Sequence, residues 1–117
     1  MGENTLELSL LLDFFGDLLT EKQREYFEMY HNEDLSLSEI AENCGISRQA
    51  VHENISRAEA SLREFEAKTG VVKKFTETQH EISRALKIAD EIEKSSTSAD
   101  VKELACRLKE ILVNLKG

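Results

Sequence analysis

The sequence predicts an all-α protein: a helical bundle built around a helix-turn-helix, extended at its C-terminal end by a helical hairpin. Three observations predict it. No proline occurs in 117 residues and, of five glycines, only Gly16, Gly45 and Gly70 fall away from the extreme ends, so few positions break a helix. Apolar side chains recur at intervals of three and four along most of the chain, the period of a helix with one buried face. Asn-Gly turns and alternating runs of Val, Ile and Thr, the signals of strands, are missing. With 40% hydrophobic and 32% charged residues, the length suits one compact unit with a modest core. Residues 1–70 carry the N-terminal helices and the helix-turn-helix (36–68), and residues 71–117 carry amphipathic helices that belong to the same unit.

The first element runs through Leu6, Leu8, Leu10, Leu11, Leu12, Phe14, Phe15, Leu18 and Leu19. It is apolar on more than one face, with Glu7, Asp13 and Asp17 keeping one stripe in water. Such a helix either lies centrally in the fold or packs part of its surface on another chain. Thr20 with Gln23 forms a capping box that starts the second helix. Tyr26, Phe27 and Tyr30 follow at helical spacing as packing residues, and Asn32-Glu33-Asp34 ends the segment.

The stretch Leu35 to His52 is the most informative part of the chain. Ser36 followed by Glu39 is a second capping box, in which the hydroxyl accepts from one orphan N–H and the carboxylate reaches back for another. Gly45 supplies the positive φ that a sharp corner between two helices needs, and Ser47 caps the helix that leaves it. Ala41 lies one turn before the corner, where a larger side chain would push the helix axes apart. Ile40, Cys44, Ile46 and Val51 fill the wedge. Small residue, corner glycine, caps and apolar anchors thus fall where a helix-turn-helix requires them.

Beyond the corner, Val51, Ile55, Ala58, Leu62 and Phe65 define a long helix with one buried stripe, and Gly70 is its stop. At 100° per residue, Gln49, Glu53, Ser56 and Ala60 turn to the opposite face, flanked by His52 and Arg57. The candidate recognition residues are therefore Arg48, Gln49, His52, Glu53, Ser56 and Arg57. Gln49 has the chemistry to read adenine, and Arg48 or Arg57 to hold a phosphate or a guanine edge. Glu53 stands at the centre of the face, where a carboxylate can accept from cytosine but must sit among phosphates. With Glu59, Glu64 and Glu66 along the same helix, it weighs against a conventional high-affinity DNA operator.

Phe75, Ile82, Leu86, Ala89 and Ile92 imply a further helix, and Ser95-Ser96-Thr97-Ser98 a short polar loop. The last helix places Val101, Leu104, Ala105, Leu108, Ile111, Leu112 and Leu115 on one face as a heptad-like seam. Two amphipathic helices joined in this way form an antiparallel hairpin. It either only covers the core or also forms a homodimer interface, with Leu104, Leu108, Ile111 and Leu115 as the contact residues.

Charge bears on the partner. Residues 1–35 hold nine acidic and two basic side chains (net −7), residues 36–70 six and four (net −2), and residues 71–117 eight and nine (net +1). Nucleic-acid binders usually carry a basic face that neutralises phosphates, and this chain advertises none. Cys44 and Cys106 lack metal-ligand spacing and read as small buried or half-buried thiols. His31, His52 and His80 are scattered and read as surface residues. No Gly-rich phosphate loop or HExxH occurs, so neither an enzyme nor a cofactor or metal is expected. No segment approaches a membrane span and no secretory signal is present, so a cytoplasmic protein without membrane insertion is expected.

Leu19-Thr20-Glu21-Lys22-Gln23-Arg24-Glu25, Leu35 to Glu42, Ile46 to Val51, Ser56-Arg57-Ala58-Glu59 and Leu62-Arg63-Glu64 resemble region 4 of bacterial sigma factors. The chain is more closely similar to the YlxM-type helix-turn-helix family, from Leu11-Leu12-Asp13-Phe14-Phe15-Gly16 through Ser47 to Ile55 and on to about Gly70. The last helices match in length and amphipathicity. The resemblance implies a small bacterial regulatory protein linked to the signal recognition particle, whose GTPase and receptor are encoded nearby. The implied partners are the particle's GTPase and/or its RNA. The alternative is a dimeric transcriptional regulator that binds a specific DNA sequence.

Overall fold

A computed structural model describes residues 2–117, with side chains from Thr5 onward. Among the described residues it is all-α. Helices α1 (Gly2–Phe15), α2 (Glu21–His31), α3 (Leu37–Cys44), α4 (Arg48–Thr69), α5 (Val71–Ser95) and α6 (Ala99–Lys116) follow one another, with one 3-10 turn at Gly16–Leu18. The chain divides into two compact units, residues 1–72 and residues 73–117.

In the first unit, α4 is the element against which α1, α2 and α3 all pack. Its Val51, Ala58 and Leu62 are fully buried, with Ile55 nearly so. Around them lie Leu8, Leu11, Leu12 and Phe15 of α1, Tyr26 and Phe27 of α2, and Ile40 and Ala41 of α3. Burying a single Leu, Ile, Val or Phe contributes about 1.5–3 kcal/mol before entropy is set against it, so this one cluster is where the unit gains its stability.

The leucine-rich first helix packs against α4 and ends sooner than its apolar run suggests. The run to Leu19 is broken at Phe15, and Gly16–Leu18 tighten into the 3-10 turn, consistent with the weak helix preference of glycine. Gly16 is also confined: a Cβ there would stand 3.1 Å from Leu12 Cδ1. Leu6, Phe14 and Leu18 remain exposed. Arg24 of α2 ties this corner down by pairing with both Asp17 and Glu28, and Arg63 of α4 reaches Glu59 at 3.1 Å and Glu7 of α1 at 3.6 Å.

Both capping boxes form. Thr20 Oγ1 accepts from Gln23 N–H while Gln23 accepts from Thr20 N–H; Ser36 and Glu39 do the same. Two expectations need correction. Cys106 is exposed and only Cys44 is half-buried, because Cys106 lies on the polar side of α6. His31 is not a plain surface residue: its ring packs 4.3 Å from that of Phe27 and 5.1 Å from that of Tyr30, and this burial lowers its pKa below the ordinary 6.5 against a weaker opposing pull from Glu59.

In the second unit, α5 and α6 form the antiparallel hairpin. Lys109 bridges back to Asp90 and Glu93 at 3.1 and 3.3 Å, and Gln79 donates to the carbonyl of Lys116 at 3.0 Å. Lys94 and Lys109 together hold the Asp90 carboxyl below the usual carboxylate range. Ser98 caps α6 by accepting from Val101 N–H. The seam expected on α6 is only partly realised, since Ala105 alone of its seven residues is buried and Leu104, Leu108, Ile111 and Leu115 are 60, 44, 58 and 65% exposed.

Candidate recognition surface

The surface is set by the corner between α3 and α4. Gly45 takes φ +67° and ψ 33°, the left-handed conformation that lets its N–H and that of Ile46 both close on the carbonyl of Ala41. The chain then turns out through Ser47, whose Oγ accepts from Ala50 N–H at 3.0 Å, and α4 begins at Arg48. Ile40 and Val51 are fully buried on either side of the corner, with Ala41 between the helices and Cys44 and Ile46 packed against the same cluster. Every structural residue of the expected helix-turn-helix is therefore in place: Ser36, Glu39, Ile40, Ala41, Gly45, Ile46, Ser47 and Val51.

Because Val51, Ile55, Ala58 and Leu62 face inward, the other side of α4 is turned to solvent. Arg48, Gln49, His52, Glu53, Ser56 and Arg57 are all exposed. They do not form one uniform surface. Arg48, Gln49 and His52 line a shallow cleft of about 560 Å³ together with Leu37, the first residue of α3. Sequence reasoning missed Leu37, although as the first helical residue after the Ser36 cap it is well placed to meet the start of the next helix. Among the described residues, Arg48 has no ion pair and its guanidinium is available to a partner.

One helical turn further on, the chemistry differs. Glu53 Oε1 accepts from Arg57 Nη2 at 2.5 Å, so the carboxylate at the centre of the face and the second would-be reading cation neutralise each other. The same i, i+4 pattern recurs down the helix, with Glu59 held by Arg63 and Glu64 by Lys68. Pairs of this kind stabilise a helix by a few tenths of a kcal/mol each. Their greater effect here is on charge: the acidic residues that seemed to oppose a polyanion are largely compensated, and Arg57 is already engaged. Glu66 accepts from the Val72 N–H at 2.9 Å, where it helps the chain pass from α4 into α5 across Gly70.

A helix pair at this corner, with one exposed helix face and a cleft at its N-terminal end, defines a protein of the helix-turn-helix class. The chain belongs to the family described as "Putative helix-turn-helix protein, YlxM / p13 like", whose model matches residues 2–105. It is 46% identical over 104 residues to a UPF0122 protein of Halalkalibacterium halodurans, covering 89% of this chain and 93% of that protein. A UPF0122 protein of Desulforamulus reducens is 39% identical over 106 residues, 91% of each chain, and one of Bacillus cereus is 45% identical over 93 residues, 80% of this chain and 84% of that protein. No helix among the described residues is long and apolar enough to cross a membrane.

Proposed function

We propose that this chain is a regulatory, non-catalytic helix-turn-helix protein of the co-translational targeting pathway, and that its recognition surface contacts the GTPase and/or the RNA of the signal recognition particle. The observation that carries the surface assignment is the split chemistry of α4. Arg48, Gln49 and His52 offer one unpaired cation and two neutral hydrogen-bonding groups around a cleft, whereas Glu53 and Arg57 close on each other. A surface with one open cation suits a small number of directed contacts. It does not suit the row of phosphate contacts that supplies most of the affinity of an operator-binding protein. The net charge of −8 favours a basic protein surface of the particle, because an acidic body is repelled at long range by the phosphates of DNA and RNA alike. The targeting pathway itself rests on the family resemblance.

A second reading, sequence-specific binding to DNA, is favoured by one observation: the corner geometry and the exposed start of α4 are those with which a recognition helix enters a major groove. Equilibrium binding of the full chain to the GTPase alone, the particle RNA alone, the assembled particle and a random DNA duplex separates the two. Binding to the GTPase or the RNA above that to the duplex supports the targeting role. Lack of binding to all three particle components at low salt overturns it, and enrichment of one repeated genomic site would establish the DNA reading instead.

A further inference from the structure

The α5–α6 hairpin buries almost nothing of its own. Of residues 73–117 only Ala89 and Ala105 are buried, and the two helices are held side by side mainly by the polar bridges from Lys109 and Lys116. Two alanines do not offset the conformational entropy of ordering two long helices. Ile82, Leu86 and Leu112 are half-buried, and most of the other large apolar side chains are exposed.

On α6 most of the exposed ones share one side, while Ile88 of α5 and Val113 of α6 lie elsewhere. Helical geometry places Asp90, Glu93 and Gln79 of α5 against Lys109 and Lys116 of α6. Measured from those inward positions at 100° per residue, Ala85 and Ile92 on α5, and Leu104, Leu108, Ile111 and Leu115 on α6, turn roughly a quarter-circle away. Because the helices are antiparallel, both stripes turn to the same side of the hairpin. A groove of about 710 Å³ lies there, with Ile82, Ala85 and Leu112 as its apolar lining beside the polar Lys74, Glu77, Thr78 and Glu81. The α6 ridge beside it runs Val101, Leu104, Leu108, Ile111, Leu115, at spacings of three, four, three and four, the repeat of a coiled-coil seam, which is satisfied by another helix.

We infer that this face is covered by the same face of a second copy of the chain, so that two hairpins close into a four-helix bundle about a two-fold axis. Three features point to a second copy. The face carries both a ridge and a groove, as a two-fold interface must if each surface is to fit itself. It carries both signs, with Lys74 and Glu81 in the groove wall on α5 and Glu103 and Arg107 along α6, and residues 73–117 hold nine basic and eight acidic side chains. Two copies therefore meet without net repulsion, whereas residues 1–72 are strongly acidic and would repel a like surface. Leu104, Leu108, Ile111 and Leu115 are 60, 44, 58 and 65% exposed, a row of large apolar side chains left in water that a second hairpin would cover.

Val113 provides the control. It is 56% exposed and apolar, but it lies on the opposite side of α6, beside Cys106 and Lys109. Sedimentation equilibrium of the full chain, over a hundredfold range of micromolar concentration, is expected to give a dimer. The double variant Leu108→Glu/Ile111→Glu is expected to sediment as a monomer with wild-type helical circular dichroism, and Val113→Glu as a dimer. A second variant, Leu104→Lys/Leu115→Lys, repeats the test at the two ends of the ridge. A monomeric wild-type chain throughout the range overturns the inference and assigns the face to a different partner. A dimer that survives both ridge variants, or that Val113→Glu dissociates equally, overturns it too.

Discussion

Gly45 is the residue on which the corner of the helix-turn-helix turns. At φ +67° an L-amino acid with a Cβ is strained by about 1–2 kcal/mol, and no neighbouring atom stands within 4 Å of the added carbon, so strain alone should decide the outcome. Gly45→Ala is expected to lower stability by that amount in urea titration, with the slope unchanged; an unaltered midpoint would show that the corner relaxes freely. Gly45 and the serine caps were legible because each carries a backbone requirement that local sequence expresses. The environment of His31 was not, since it depends on rings four residues back and one residue back meeting it at the end of a helix. Its folded-state pKa is lowered from 6.5, chiefly by burial, so the unfolded chain takes up the proton first. Stability should therefore be level above pH 6.5 and fall as the pH drops below it toward the folded-state pKa. Thermal melts between about pH 8 and pH 5 should show this loss in the wild type and a smaller one in His31→Gln.

At the scale of the element, α4 joins the core to the surface. Its inward stripe was legible from the spacing of Val51, Ile55, Ala58 and Leu62, because burial imposes a period of 3.6 on the sequence. The state of its outward face was less so. Glu53 and Arg57 each looked available to a ligand, and their mutual pairing at 2.5 Å is a choice of rotamer that residue type alone does not dictate. The pairing has a measurable consequence. Glu53→Gln removes the carboxylate, releases Arg57 and lowers the net negative charge, so its affinity for single-stranded RNA or random duplex DNA should rise severalfold. The dependence of that affinity on salt should steepen by about one phosphate contact. Unchanged affinity and salt slope would mean that Arg57 does not reach a phosphate even when freed. The first helix shows the opposite limit of legibility: its leucines announced burial, which Leu8, Leu11, Leu12 and Phe15 find, but they hid the break at Gly16, which reflects backbone preference and the nearness of Leu12.

For the whole molecule, the charge arithmetic and the division into residues 1–72 and 73–117 describe two units of different character. The first unit has a complete core and carries the proposed recognition face on an acidic body; the second has balanced charge and only Ala89 and Ala105 fully buried. Amphipathic repeats in the sequence announced helices 71–117 and their seam, yet a repeat marks only which residues seek burial and not what buries them, which is why Leu104, Leu108, Ile111 and Leu115 read equally well as cover for a core and as an interface. The central claim concerns the other surface, that Arg48, Gln49 and His52 at the start of α4 contact the signal recognition particle. The most direct measurement is the affinity of the full chain for the assembled particle, compared with that of Arg48→Ala/Gln49→Ala at the same moderate salt. A loss of tenfold or more, about 1.4 kcal/mol, with helicity and melting temperature retained, is the expected result; equal affinities for the two proteins would contradict the assignment.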